Sequence, residues 1–280
     1  MSIDRGPAPA RAPSLPPPPV AAGRSQRRWP ILVPAWMAIG VLVLPLVALL
    51  LRVDWLGLIG DVSSPLALQA LRLSAITTSI TLVVVLLLGT PLAWVLARGT
   101  HRALPWLRAL VTVPLVLPPV VGGVALLAAW GRTGVLGGPL DALLGITIPF
   151  TTVAVIFAEV FVALPFYVIS VEGSMRGLDT RYDQVAATLG ASPVRTFTTV
   201  VIPLVAPGMA AGAALAWARA LGEFGATITF AGNFSGRTQT VPLAVFTALE
   251  QDPDAALALS VVMLATCVVV LGALRSRWMP

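Results

Sequence analysis

The sequence predicts an all-α integral membrane protein with six transmembrane helices and cytoplasmic N- and C-termini. Of its 280 residues, 57% are hydrophobic and only 11% are charged, whereas about a quarter of the residues in a soluble domain carry a charge. Several apolar runs reach the roughly 20 residues that a helix needs to cross a bilayer. They lack the alternation typical of a transmembrane barrel strand, so we expect a helical bundle.

Six apolar runs define the predicted spans. They cover about residues 30–51, 73–97, 109–130, 148–171, 203–230 and 255–274. Residues 1–29 contain seven prolines and scattered arginines, a composition typical of a disordered or polyproline-like segment. We therefore divide the chain into a cytoplasmic tail, residues 1–29, and a transmembrane domain, residues 30–280.

The chain contains no lysine, so its arginines carry all the positive charge. Their distribution predicts the orientation of the bundle. Thirteen of the 18 basic residues lie before span 1, between spans 2 and 3, between spans 4 and 5, or after span 6. Positive charge collects on the cytoplasmic side of membrane proteins, so these segments and both termini are expected inside the cell. This topology accounts for the net charge of +6, and the partner that it indicates is membrane lipid rather than nucleic acid.

A polar stretch rich in small residues, about residues 175–202, separates spans 4 and 5. Its apolar residues recur at the spacing of one helical face: Tyr182, Val185, Ala186 and Leu189. We expect a short amphipathic helix, followed by a glycine turn and a second helix, lying parallel to the membrane on the cytoplasmic side. The small side chains at Ala187, Gly190 and Ala191 would let a partner protein approach closely.

Local signals mark the ends of these two helices. Thr180 and Asp183 have the spacing of a capping box at the start of the first helix. Gly190 stands where a glycine would end that helix and reverse the chain. Ser192 followed by Pro193 predicts the N-cap and first residue of the second helix.

The stretch resembles the cytoplasmic coupling loop of binding-protein-dependent ABC importer permeases. In that family Glu-Ala-Ala, three residues, a Gly and, after about a dozen residues, a Pro form an element that docks into the ATPase subunit. Gln184-Val185-Ala186, Gly190 and Pro203 occupy the matching positions here, and two of the first three letters depart from the pattern. The resemblance implies a coupling role for Asp183, Gln184, Val185, Ala186, Gly190, Ala191, Ser192 and Pro193.

Three further segments look like the molybdate branch of the family, which is close to the sulfate branch. They are LRLSAITTSITLVVVLLLGTPLAWVLAR (71–98), VPLVLPPVVGGVALL (113–127) and ARALGEFGATITFAGNFSGRTQTVPLAVF (218–246). The resemblance implies the type I importer permease bundle in the cytoplasmic membrane of a prokaryote. It also implies a homodimer of permeases, two ATPase copies and an extracytoplasmic oxyanion-binding protein. The implied cargo is molybdate, with sulfate, thiosulfate or tungstate as alternatives.

ATP hydrolysis is expected in a separate subunit. The phosphate-binding loop of such an ATPase contains a lysine, and this chain has none. ATP and Mg²⁺ would be used by that partner, and no cofactor is expected on this chain. With a single histidine, His101, and a single cysteine, Cys267, the sequence predicts no metal site and no catalytic residue. We therefore expect a transport subunit rather than an enzyme.

Helix-breaking, charged and hydroxyl residues inside the spans are candidates for the translocation path. They are Pro118, Pro119, Gly122, Arg219, Glu223, Thr227 and Thr229. Prolines within a span free carbonyl groups, which membrane helices tolerate beside a cavity or a neighbouring helix. Arg219 and Glu223 stand four residues apart, so they either pair with each other or place Arg219 beside the anion. The threonines either line a gate or bond to their own backbone.

A buried glutamate in span 4 and a stripe of small residues in span 5 are two further candidates for a role in packing or transport. Glu159 in span 4 is a possible partner of Arg219, and we expect it to face a neighbouring helix because its charge would repel an anionic cargo. A stripe of small residues in span 5 predicts close helix packing or a dimer contact: Gly208, Gly212, Ala216 and Ala220. A secondary transporter that uses Glu159, Arg219 and Glu223 as an ion relay is the competing function.

Overall fold

The computed structural model describes residues 29–275. The predicted tail therefore lies outside the described residues, except for Trp29, which begins the first helix. All regular structure within residues 29–275 is helical, in agreement with the predicted fold class.

The described chain forms α-helices joined by short turns. They are α1 (Trp29–Arg52), α2 (Leu58–Val62), α3 (Pro65–Arg98), α4 (Leu104–Val116), α5 (Pro119–Trp130), α6 (Gly137–Leu144), α7 (Thr152–Arg176), α8 (Arg181–Thr188), α9 (Pro193–Thr196), α10 (Ile202–Leu221), α11 (Gly225–Phe230), α12 (Val241–Gln251) and α13 (Pro253–Arg275), with a π-helical turn, Phe197–Val201, between α9 and α10. The chain divides after Ala48 into two units. The first unit contributes most of α1, which contains Pro34 and Pro45. All the sites described below lie in the second unit.

Five apolar segments within the described range are long enough to cross a membrane. They are Leu32–Arg52, Pro65–Arg98, Thr152–Arg176, Pro193–Leu221 and Pro253–Val270. The pair α4 and α5, bent by 118°, makes a sixth when it is counted as one span. Span 3, predicted to be one kinked helix, is therefore broken. The reason is the Pro118-Pro119 pair, which supplies no backbone N–H to continue α4, so Leu117 and Pro118 adopt extended backbone conformations.

The broken pair still runs from one end of the bundle to the other. Leu104, at the start of α4, packs against a buried cluster that contains Met175 near the cytoplasmic end of α7. At the end of α5, the ring of Trp130 lies 5.2 Å from that of Phe157, near the start of α7. Counted as one span, the pair is the sixth crossing that the predicted topology requires.

The fifth span starts and ends earlier than predicted. The second helix of the polar stretch was expected to lie parallel to the membrane, but it continues into the span as one 29-residue segment, Pro193–Leu221. The hydroxyl group of Thr199 donates to the carbonyl of Arg195 (2.6 Å), so the wider π turn keeps this carbonyl satisfied without a break. The span was predicted to reach residue 230, but α10 ends at Leu221 and a separate helix, α11, follows.

The helices α3, α7 and α10 pack around one buried cluster. Its members include Val85, Ala93, Tyr167, Val171, Val205 and Ala216. Gly208 and Gly212 of α10 face Ser174 and Ser170 of α7, and a methyl group added to Gly212 would come within 3.0 Å of the Ser170 Cβ atom. The predicted packing role of the small-residue stripe is therefore confirmed, and its partner is α7.

We expect Gly208→Ala to destabilise the bundle, because the added methyl group would collide with the Ser174 side chain. Overpacking of a close contact costs about 1–3 kcal/mol, which thermal unfolding of the purified permease in detergent measures. Gly173→Ala is the matched control, since no atom lies within 4 Å of its added methyl group. Equal unfolding temperatures for the two variants would contradict the close α10–α7 contact.

Candidate functional site

The polar stretch folds as a helix, a glycine turn and a helix. Gly190 adopts a left-handed backbone with φ of 77°, which glycine enters without the steric cost of a Cβ atom. The Ser192 hydroxyl accepts a hydrogen bond from the Arg195 N–H (3.3 Å). The predicted glycine turn and serine N-cap are thus confirmed.

The predicted capping box is wrong. The side chain of Thr180 makes no capping hydrogen bond. Asp179 accepts a hydrogen bond from the Arg181 N–H (2.9 Å), and the carboxylate of Asp183 turns toward a different helix. The Oδ2 atom of Asp183 lies 3.3 Å from Nε of Arg98, the last residue of α3.

The Arg98–Asp183 pair ties α8 to the cytoplasmic end of α3. One turn earlier in α3, the ring of Trp94 packs on Phe197 at a centroid distance of 5.4 Å. Arg98 was predicted only as a topology signal, because its partner is 85 positions away in sequence and no local pattern links the two residues. Two contacts of different chemistry therefore hold the polar stretch against a buried helix.

The apolar stripe of α8 faces away from the bundle. Tyr182, Val185 and Leu189 are 49%, 57% and 82% exposed, and only Ala186 of the stripe is buried. The stripe, together with Ala191, lines a surface groove. A contiguous exposed apolar surface of this kind marks an interaction site in soluble parts of proteins.

A second charged cluster stabilises the cytoplasmic ends of three helices. Glu172 of α7 is buried, and its Oε1 atom lies 2.7 Å from Arg108 of α4 and 3.5 Å from Arg176. Arg108 also donates to the carbonyl of Leu96 in α3 (3.1 Å). No local pattern predicts this cluster, because Arg108 directly precedes predicted span 3 and Glu172 directly follows predicted span 4.

The starts of the short helices α5 and α11 lie side by side. A methyl group added to Gly225 would come within 2.7 Å of the Pro119 Cβ atom, and one added to Gly123 within 2.6 Å of the Thr229 Cβ atom. Gly122 packs in the same way against the ring of Phe161 in α7, at 2.9 Å. Two interrupted helices thus meet inside the bundle; we call this contact the broken-helix junction.

Glu223 occupies the break between α10 and α11. Its Oε2 atom lies 2.6 Å from Nη2 of Arg219, and its Oε1 atom accepts a hydrogen bond from the Ala226 N–H in the first turn of α11 (2.7 Å). Glu223 is 2% exposed, whereas the Arg219 side chain is 26% exposed. The expected pairing of the two charges is confirmed, but it joins two helices rather than lying within one.

The remaining predicted path residues, Pro118, Thr227 and Thr229, lie at or next to the junction but differ in exposure and in hydrogen bonding. Pro118 is exposed, and Thr227 is fully buried. The Thr229 hydroxyl donates to the Gly225 carbonyl (2.6 Å), which is the backbone bonding that the sequence left open as an alternative. The junction therefore collects most of the predicted path residues.

Glu159 of α7 does not pair with Arg219, so that part of the prediction is wrong. Its two carboxylate oxygens accept hydrogen bonds from the hydroxyl groups of Thr77 (2.8 Å) and Thr81 (2.7 Å) on α3. Glu159 thus faces a neighbouring helix, as expected. The two threonines stand one helical turn apart, a spacing that could have suggested a shared partner.

Comparison with known proteins decides the family. Residues 89–279 match the family described as binding-protein-dependent transport system inner membrane component. The chain belongs to this family. It is therefore a multi-pass inner-membrane permease subunit of the ABC transporters of prokaryotes.

Relatives and one solved structure support this assignment. The chain is 48% identical over 246 residues to the molybdenum transport system permease protein of Mycobacterium tuberculosis. This alignment covers 88% of this chain and 92% of that protein. It is 36% identical over 211 residues to the protein of the same name in Escherichia coli, covering 75% and 92%. A crystal structure of a bacterial alginate ABC transporter in complex with an alginate-bound periplasmic protein contains a chain with a TM-score of 0.70. That chain is 13% identical, with 90% of this chain and 93% of that chain covered, and the likeness shows the predicted type I permease fold.

We expect Glu223→Ala to lower the free energy of unfolding by about 2 kcal/mol, because it removes the α11 capping acceptor and the counter-ion of Arg219. Glu223→Gln should cost less, since its amide oxygen can still accept from the Ala226 N–H. Thermal unfolding of the purified permease measures both effects. Glu250→Ala, at an exposed position of α12, should leave the unfolding temperature unchanged. Unfolding temperatures that are the same for all three variants would contradict the role of Glu223 in the junction.

Proposed function

We propose that this chain is the transmembrane subunit of an ATP-driven importer of molybdate. The observation that carries the coupling role is the exposed apolar stripe of α8, held on a glycine turn beside the bundle. Two relatives that align over most of their length carry the name molybdenum transport system permease protein, which supports molybdate as the cargo.

The energy for import comes from a separate subunit. The chain has no lysine and therefore no phosphate-binding loop of the ATPase type, so ATP and Mg²⁺ are used by an ATPase that docks on α8. We propose an assembly with two permease chains related by a two-fold axis, two ATPase copies and an extracytoplasmic oxyanion-binding protein. A two-fold pair is the commonest closed arrangement for identical subunits, and it places one docking surface on each chain.

Two connections would carry movement of α8 into the membrane. The first is the Arg98–Asp183 pair, which reaches α3. The second is the turn at Gly190, after which the chain enters the continuous helical segment Pro193–Leu221. Because that segment ends beside Arg219 and Glu223, a tilt at its cytoplasmic end changes the position of the broken-helix junction.

We propose that the broken-helix junction borders the path of the anion. Interrupted helices inside a membrane place free backbone groups near a transported solute, and Arg219 adds a positive charge that is partly exposed. Glu223 keeps this charge in place while the site is empty. The alternative is that the pair only stabilises the junction.

We expect Val185→Glu to reduce ATP-driven molybdate uptake at least tenfold, since a charge would interrupt the apolar docking surface. The assay uses proteoliposomes that contain the permease, its ATPase and its binding protein, with radiolabelled molybdate. Thr188→Glu adds the same charge at an exposed position of α8 outside the groove and is the matched control. Equal losses in both variants would contradict docking through the apolar stripe.

The same vesicles test the cargo and the energy source. Unlabelled tungstate and sulfate compete against labelled molybdate, and stronger inhibition by sulfate than by molybdate itself would contradict the proposed cargo. Uptake by the permease alone, driven by an ion gradient without ATPase, would support a secondary transporter instead.

We expect Arg219→Gln to reduce uptake, and the double variant Arg219→Gln with Glu223→Gln separates the two roles of Arg219. If Arg219 attracts the anion, the double variant stays inactive although its charges are balanced. If the pair is only structural, removing both charges restores uptake, and the path assignment fails. Protein levels in the membrane are measured for each variant, so that a folding defect is not read as a transport defect.

A further inference from the structure

A cavity of 530 Å³ lies where α5 ends and α7 begins. Arg132 and Arg237 contribute to its wall from two different loops, both predicted to be extracytoplasmic. Within the part of the chain that the structure describes, neither guanidinium group forms an ion pair with a carboxylate. The cavity shares no residue with the broken-helix junction or with the α8 surface.

Both arginines are carried by loops that the backbone holds in place. In the Arg132 loop, the Gly134 N–H donates to the Gly131 carbonyl (2.8 Å). The Arg237 carbonyl accepts from the Thr152 hydroxyl at the start of α7 (2.8 Å). Because these hydrogen bonds hold the loops, their backbones lose little conformational freedom when a ligand binds.

Most other polar groups of the wall are already engaged. The Thr147 hydroxyl donates to Asp141 Oδ1 (3.0 Å). The Thr151 hydroxyl donates to the Ile148 carbonyl and accepts from the Ala154 N–H. The side-chain donors that remain for a ligand are therefore the two guanidinium groups and the hydroxyl of Thr133, which suits a ligand made of acceptor atoms and negative charge.

The wall also contains a strained residue. Phe150 lines the cavity with φ of 61°, a left-handed conformation that is rare for a bulky side chain. Its ring packs against that of Phe234 (6.2 Å), in the loop that also carries Arg237. Strained backbone of this kind concentrates at functional sites, where the surrounding structure maintains it.

We propose that this cavity is an extracytoplasmic binding site for a tetrahedral oxyanion, held by Arg132 and Arg237. The planar guanidinium group presents paired N–H donors that match two oxygens of such an anion. A volume of 530 Å³ leaves room for part of the hydration shell, so the anion binds here before it enters the bundle. The site extends the proposed function, on which it rests only for molybdate as the natural ligand.

Equilibrium binding of radiolabelled molybdate to the purified permease in zwitterionic lipid nanodiscs tests the site without any ATPase. We expect saturable binding that Arg132→Gln and Arg237→Gln each weaken about tenfold, as for the loss of one charge-assisted contact. The double variant should show no measurable binding. Arg132→Lys, which keeps the charge, should retain more affinity than Arg132→Gln. Arg72→Gln removes an exposed arginine outside the cavity and should leave binding unchanged.

Two results would overturn the proposal. The first is normal molybdate binding by the double variant; if that variant also fails to associate with the extracytoplasmic binding protein, the arginines belong to that interface. The second is loss of molybdate binding when anionic phospholipid replaces part of the zwitterionic lipid at an ionic strength that screens the surface potential, which would assign the arginines to lipid phosphate.

The outcome is separable from that of the proposed function. Arginine-dependent binding of sulfate or molybdate in nanodiscs, combined with no molybdate uptake by the full transporter, would refute the function and leave the site. No arginine-dependent binding by the wild-type permease in nanodiscs, combined with normal molybdate uptake by the full transporter, would refute the site and leave the function.

Discussion

Close contact between α10 and α7 is the constraint on which the rest of the molecule depends. Gly208 and Gly212 lack side chains where α10 crosses Ser174 and Ser170, so the two backbones approach closely along the face that also packs on α3. Dispersion forces supply most of the attraction between membrane helices, and small residues at the contact increase them. Because α10 is continuous with the helix after the Gly190 turn, this contact also holds the turn that follows α8.

The three buried carboxylates of the described core each have a different set of partners. Glu172, at the cytoplasmic end, contacts two arginines. Glu223, at the break between α10 and α11, contacts Arg219 and a backbone N–H. Glu159 accepts only from threonine hydroxyls of α3. An unpaired charge inside a membrane costs about 3 kcal/mol or more. These contacts therefore favour one arrangement of the helices, which their apolar surfaces alone would specify only weakly.

Local patterns were sufficient for several elements. The apolar runs identified the crossings, Gly190 identified the turn, and the Ser192-Pro193 pair identified a helix start. The predicted capping box of α8 failed because Asp183 had two possible partners. Asp183 could cap its own helix or pair with Arg98, and the ion pair prevailed because α3 ends beside α8.

The sequence was enough to assign the class of protein, since hydrophobicity and the distribution of arginines follow directly from the energetics of the bilayer. The break at Pro118, the meeting of α5 with α11 and the grouping of Arg132 with Arg237 required the folded chain. Arg132 and Arg237 are separated in sequence by six helices, α6 to α11, and only the folded chain brings their loops to one cavity. Contacts between distant segments depend on how helices are arranged, and a linear pattern of polar and apolar residues does not specify that arrangement.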